Sequence, residues 1–110
     1  MIHKTCEFYK KIYVLGSKLS KRDKLGIYSK IENICLETVQ LIIKASLEQK
    51  TSKLPTLNST RIKIELLKKL IRLSNELNII PSNKYLELES NLQEISKMNS
   101  GWIKYLTTSI

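Results

Sequence analysis

The sequence is short of the residues that most chemistries and several fold classes require. Its 110 residues include 3 glycines, 2 prolines, 2 cysteines and 1 histidine, and aromatics make up only 6%. So little Gly and Pro excludes collagen-like and mucin-like chains. Cys6 and Cys35 are too few for a disulfide framework and form no CxxC pair. Both fall in apolar helical patterns, where a reduced thiol behaves as a small buried hydrophobe. His3 stands alone near a terminus, so no metal-ligand set is expected. No apolar run reaches the roughly 18 residues that span a bilayer, and the stretch Met1–Tyr13 is too charged for a signal peptide. The expected setting is a reducing cytoplasm, away from membranes.

What the chain does have is aliphatic residues and positive charge. Hydrophobic residues make up 42%, mostly Ile and Leu, enough to offset the entropy of ordering a single domain over residues 1–110. Lys and Arg number 19 against 10 Asp and Glu, a net charge of +9. Such a surplus speeds encounter with polyanions. Nucleic acid is the first partner class it points to, with an anionic membrane or an acidic protein as rivals.

Apolar spacing is helical throughout and no alternating run predicts a strand. Four helices are expected, over residues 5–19, 21–50, 59–78 and 83–107. The first carries Phe8, Ile12 and Leu15, with Tyr9 and Leu19 beside them. Ser20 and Asp23 are placed as N-cap and N3 of the second, whose stripe is Tyr28, Ile31, Cys35, Val39 and Ile42, widened by Leu25, Leu36, Ile43 and Leu47. Residues 51–59, with Pro55, read as the main loop, and Asn58 or Ser59 as the cap of the third helix. That helix has two apolar rows: Ile62, Leu66, Leu70, Leu73 and Leu77 as the inner stripe, and Ile64, Leu67 and Ile71 beside it, for deep burial or a subunit contact. Pro81 ends it and Ser82 caps the last helix, which carries Tyr85, Leu88, Leu92, Ile95, Trp102 and Leu106, with Asn99 in the seam. Trp102 reads as a core residue, with Gly101 allowing close helix approach. The expected fold is all-α, an up-down antiparallel four-helix bundle.

The charge is segregated. Residues 1–30 carry a net +6, residues 31–60 none, residues 61–72 a net +4 and residues 73–110 a net −1. Two clusters hold the excess: Lys10, Lys11, Lys18, Lys21, Arg22 and Lys24, and then Arg61, Lys68, Lys69 and Arg72. Arg61, Lys68 and Arg72 share a helix face at spacings of seven and four, a row suited to tracking a phosphate backbone. These ten residues are the candidate nucleic-acid-binding set. No base-reading motif is present, so binding is expected to be backbone-driven.

A nucleophile with its base, or a glycine-rich phosphate loop, is missing. Glu87, Glu89 and Glu94 read as solvated flanks of the last helix. The chain is therefore expected to be non-enzymatic and to carry no cofactor.

Four stretches carry a family resemblance: KLSKRDKLG (Lys18–Gly26), LIIKAS (Leu41–Ser46), ELLKKLIRLSNELNIIPSNKYLE (Glu65–Glu87) and LQEISKMNSGW (Leu92–Trp102). In order and spacing the sequence resembles the accessory variability determinant (Avd) proteins of diversity-generating retroelements. These lie within the wider four-helix-bundle family that includes proteins encoded by ribosomal-RNA intervening sequences. The sequence departs at Ser20, where members often carry Pro, and at Ser100, where they often carry Gly. The resemblance implies a homopentameric barrel with a basic exterior that partners a reverse transcriptase and its template RNA, supporting mutagenic cDNA synthesis without catalysing it. The alternative is a structural or protein-interaction bundle of the intervening-sequence type with an acidic protein partner.

Overall fold

The computed structural model describes residues 1–108, and every regular element among them is helical: α1 (Ile2–Gly16), α2 (Lys21–Leu25), α3 (Ile27–Leu47), α4 (Lys50–Glu76) and α5 (Ser82–Thr108). The four long helices form a bundle of 49 × 21 × 19 Å in which α1 packs on α3 and α5, and α4 packs on the same two. Short connections make sequence neighbours antiparallel. The small α2 packs chiefly on α3.

Three boundaries differ from the sequence reading. The first helix, expected over 5–19, runs Ile2–Gly16. The expected helix 21–50 is two helices, because Gly26 adopts φ −92°, ψ −122°, outside the helical basin. A Cβ there would stand 3.1 Å from the Arg22 carbonyl oxygen. Ser20 is the cap anticipated, its hydroxyl accepting from the Asp23 amide at 3.3 Å. The expected loop 51–59 is instead the start of α4, with Pro55 inside it. Pro55 is the sixth helical residue, where its missing amide leaves unpaired only the carbonyl of the exposed Thr51 one turn earlier. Burial decides the matter: Thr56, Leu57 and Thr60 all point inward, and the Lys53 ammonium donates to the Ala45 carbonyl at 2.6 Å across the corner. At the other end of α4 the expected turn is present. Asn78 takes φ 62°, the left-handed conformation that Asn tolerates, and the Ser74 carbonyl accepts from the amides of Ile79 and Ile80.

The main core joins Phe8 and Ile12 of α1, Tyr28, Ile31, Ile34 and Cys35 of α3, Ile64, Leu67 and Ile71 of α4, and Leu88, Leu92 and Ile95 of α5. On α4 the inner row is therefore the opposite of the one expected. Ile62, Leu66, Leu73 and Leu77 are exposed, as are Leu25, Leu36, Ile43 and Leu47. A smaller cluster of Ala45, Leu57 and Leu106 packs with Trp102 near the far end. Lys53 also lies 5.5 Å from the Trp102 ring centroid, a cation–π distance. Asn99 is buried between the two clusters and donates to the Leu57 carbonyl at 3.1 Å. Gly101 does not mediate close helix approach, because a Cβ there would meet nothing within 4 Å. Gly16 does, against Tyr28.

α1 is shorter than its partners. Lys4 is level with Glu94 and Lys11 with Glu87, so α5 runs on past the start of α1 at Ile2, and its last turns pack in the end cluster with Ala45 of α3, Leu57 of α4 and the side chain of Met1.

Burial pushes the Cys35 thiol up from an ordinary 9.0 to about 12, with the nearby Cys6 adding to the effect. Burial likewise holds the Tyr28 phenol above its usual 10.0. As pH rises through 9 the unfolded chain ionises its thiol while the folded chain does not, so stability falls between pH 9 and 12. The urea midpoint of the protein should drop steadily over that window, and Cys35→Val should make the drop shallower without abolishing it, since Tyr28 still titrates.

Candidate nucleic-acid interface

Nine of the ten basic residues singled out in the sequence are divided by the fold among three places, and Arg61 stands apart. Lys10, Lys11 and Lys18 line the groove between α1 and the first turns of α5. Lys68, Lys69 and Arg72 line the groove between α4 and the other side of α5, opposite Tyr85 and Glu89. Lys21, Arg22 and Lys24 sit on α2, which contributes nothing to the core. Arg61 stands about 10 Å from Lys68 along α4, at 1.5 Å per residue, and lines neither groove. The two sequence clusters thus flank the start of α5 from either side and do not merge into one patch.

Pairing separates these residues further. Lys10 bonds Glu7 at 3.0 Å, and Lys11 bonds Glu87 at 3.0 Å and the Asn91 side-chain oxygen at 2.9 Å. Lys68 reaches Glu65 at 3.2 Å, and the Arg72 Nε reaches Glu76 at 3.4 Å. Lys18, Lys21, Arg22, Lys24, Arg61 and Lys69 have no ion-pair partner among the described residues. Hydrogen bonds and charge from their lysine partners hold the carboxyls of Glu7 and Glu87 below the usual range. The unpaired cations are the ones with charge free for an outside anion, since a paired lysine must first give up its partner.

Two of the α5 acids are more than solvated flanks. Glu94 bonds Lys4 at 2.6 Å and Glu87 bonds Lys11, so both tie α5 to α1. Lys4 and Lys84, which fell outside the candidate set, also line this side of the bundle. Their signal was the spacing of Lys84, Glu87, Asn91 and Glu94, which puts all four on one helical flank.

No helix among the described residues is long and apolar enough to cross a membrane. No group of three or more His, Cys, Asp or Glu side chains among them is placed to hold a metal ion.

The profile of the bAvd-like family matches residues 1–106, nearly the whole chain. The chain belongs to the bAvd-like family. Comparison with curated proteins and with solved structures returned no match. For a bAvd-like chain the apolar row left outside on α4 is a notable feature. Ile62, Leu66, Leu73 and Leu77 form an exposed row between the Lys63–Glu37 ion pair, which joins α4 to α3 at 2.6 Å, and the basic groove, with Lys69 at helical spacing from Ile62, Leu66 and Leu73. The cationic and apolar strips of α4 therefore adjoin.

Proposed function

We propose that this bAvd-like chain is a non-enzymatic accessory protein of a diversity-generating retroelement. In this reading it assembles as a homopentamer in the cytoplasm and binds template RNA or cDNA, together with the reverse transcriptase, through its basic surfaces. Family membership over residues 1–106 is the observation that carries the reading. Two features support it. Six basic residues of the candidate set have no ion-pair partner among the described residues, which suits phosphate neutralisation. The exposed apolar row of α4 suits a contact between copies, since rows of this kind on a bundle surface mark association sites. A ring multiplies each basic cluster, so weak phosphate contacts add up as avidity.

The test is RNA binding by fluorescence anisotropy across a salt titration, with solution mass from light scattering. Affinity should fall steeply with salt, and the mass should be five times the 12.8 kDa protomer. Lys68→Glu, Lys69→Glu and Arg72→Glu together should lower affinity about tenfold or more and leave the helical signal unchanged. Salt-independent binding would sink the electrostatic mechanism. A monomer would sink the pentamer. No RNA retained at physiological salt would turn the reading towards an acidic protein partner.

A further inference from the structure

The α1/α5 groove has a chemistry that net charge alone does not describe. It encloses about 250 Å³. One wall is apolar, made by Val14, Leu15 and Leu88, with Val14 more than half exposed. The rim carries Lys10, Lys11, Lys18 and Lys84 against Glu7 and Glu87, an excess of two positive charges. Lys10 is taken up by Glu7 and Lys11 by Glu87. Lys84 stands 4.0 Å from Glu87, a carboxylate already engaged, and Lys18 has no partner among the described residues. The excess therefore resides on Lys18 and Lys84, beside the apolar wall.

We propose that this groove seats one nucleotide of a single-stranded nucleic acid, with its phosphate between Lys18 and Lys84 and its base against Val14 and Leu15. The proposal rests on the nucleic-acid reading above and gives it a site. The groove is small: its volume lies below the roughly 300–1,000 Å³ of drug-sized pockets, the scale of a single base with its sugar-phosphate. A duplex keeps its bases stacked inside, whereas an unpaired nucleotide offers a flat apolar face and an anion a few ångströms apart. That is the pairing of surfaces this groove presents. Its wall is aliphatic with no hydrogen-bonding group aimed at a base edge, so preference for having a base is expected and preference among bases is not.

The experiment compares two labelled strands of about eight nucleotides on the full-length protein, an oligothymidylate and an abasic sugar-phosphate strand of equal length. The wild type should bind the oligothymidylate about tenfold more tightly. Val14→Ser, at an exposed position, should bring that preference close to one. Lys84→Gln should weaken both strands about threefold and lower the salt slope by about one. Lys69→Gln, in the other groove, should weaken both and leave the preference intact. Equal binding of the two strands by the wild type, with normal salt dependence, would overturn the groove while leaving backbone-driven binding in place. Binding of neither strand at physiological salt, with oligoglutamate captured instead, would remove the nucleic-acid reading itself.

Discussion

Leu67→Ala is expected to cost about 2–5 kcal/mol of stability, the range for emptying a packed leucine site. Leu67 is 1% exposed and lies in the main core with Ile64 and Ile71. At roughly 4 °C or more per kcal/mol for a domain of this size, its melting temperature should fall by about 10 °C or more. The neighbouring Leu66→Ala should cost about 1 kcal/mol or less in a protomer, because Leu66 is 39% exposed on the outer row. Calorimetry on both variants decides which row faces in, and equal losses would contradict the packing of α4. The outer row has its own readout. Leu66→Asp should lower the solution mass while leaving circular dichroism helical, if that row joins protomers.

The reason the sequence pointed to the wrong row lies in two hydroxyls. Over the expected helix 59–78 the buried side contains Thr60 and Ser74 along with its aliphatics, so it scores as mixed, whereas the outer row is all Ile and Leu. Inside the helix the penalty is small. The Thr60 hydroxyl donates to the Thr56 carbonyl and the Ser74 hydroxyl to the Leu70 carbonyl, both at 2.9 Å. Once bonded to their own backbone, these residues pack as small apolar ones. Hydrophobicity counted by residue type does not register that.

Gly16→Ala should destabilise the protein by about 2 kcal/mol, whereas Gly101→Ala should stabilise it by up to about 1 kcal/mol. Both glycines are helical, so alanine gains intrinsic propensity at either. The surroundings reverse the sign at one of them. A Cβ on Gly16 would sit 2.6 Å from Cε2 of Tyr28. That ring cannot retreat, being fully buried with its hydroxyl bonded to the Ile12 carbonyl, so overpacking outweighs propensity. A Cβ on Gly101 meets open space. Thermal melts should move in opposite directions, and a parallel shift would mean that the α1–α3 crossing is looser than described.

Much of the architecture was legible from spacing. The stripes of α1 and α5, the Ser20 cap and the turn around Asn78 and Pro81 all follow local rules and appear in the fold. The break at Gly26 was not legible, since one glycine in a helical pattern is ordinarily tolerated. Helix through Pro55 was not legible either, because burial of Leu57 overrode a local breaker. For the candidate interface, counting located the two cationic clusters. It had no means to tell Lys11, consumed by Glu87 from another helix, from Lys18, which has no ion-pair partner among the described residues. Pairing between residues 76 positions apart is a property of the packed chain.

The bond from Asn99 to the Leu57 carbonyl works as a gauge between two moving scales. α4 and α5 lie side by side and aliphatic packing alone would let one slide past the other by a turn, about 5.4 Å. A buried amide aimed at one carbonyl makes only one setting comfortable. The charges mounted on the two helices inherit a setting held at both ends: by this contact far down the bundle, and by the turn between α4 and α5, where the Ser74 carbonyl accepts from the amides of Ile79 and Ile80. Spacing between phosphate-facing groups is thus calibrated in the interior, out of reach of the surface substitutions that would retune each cation singly.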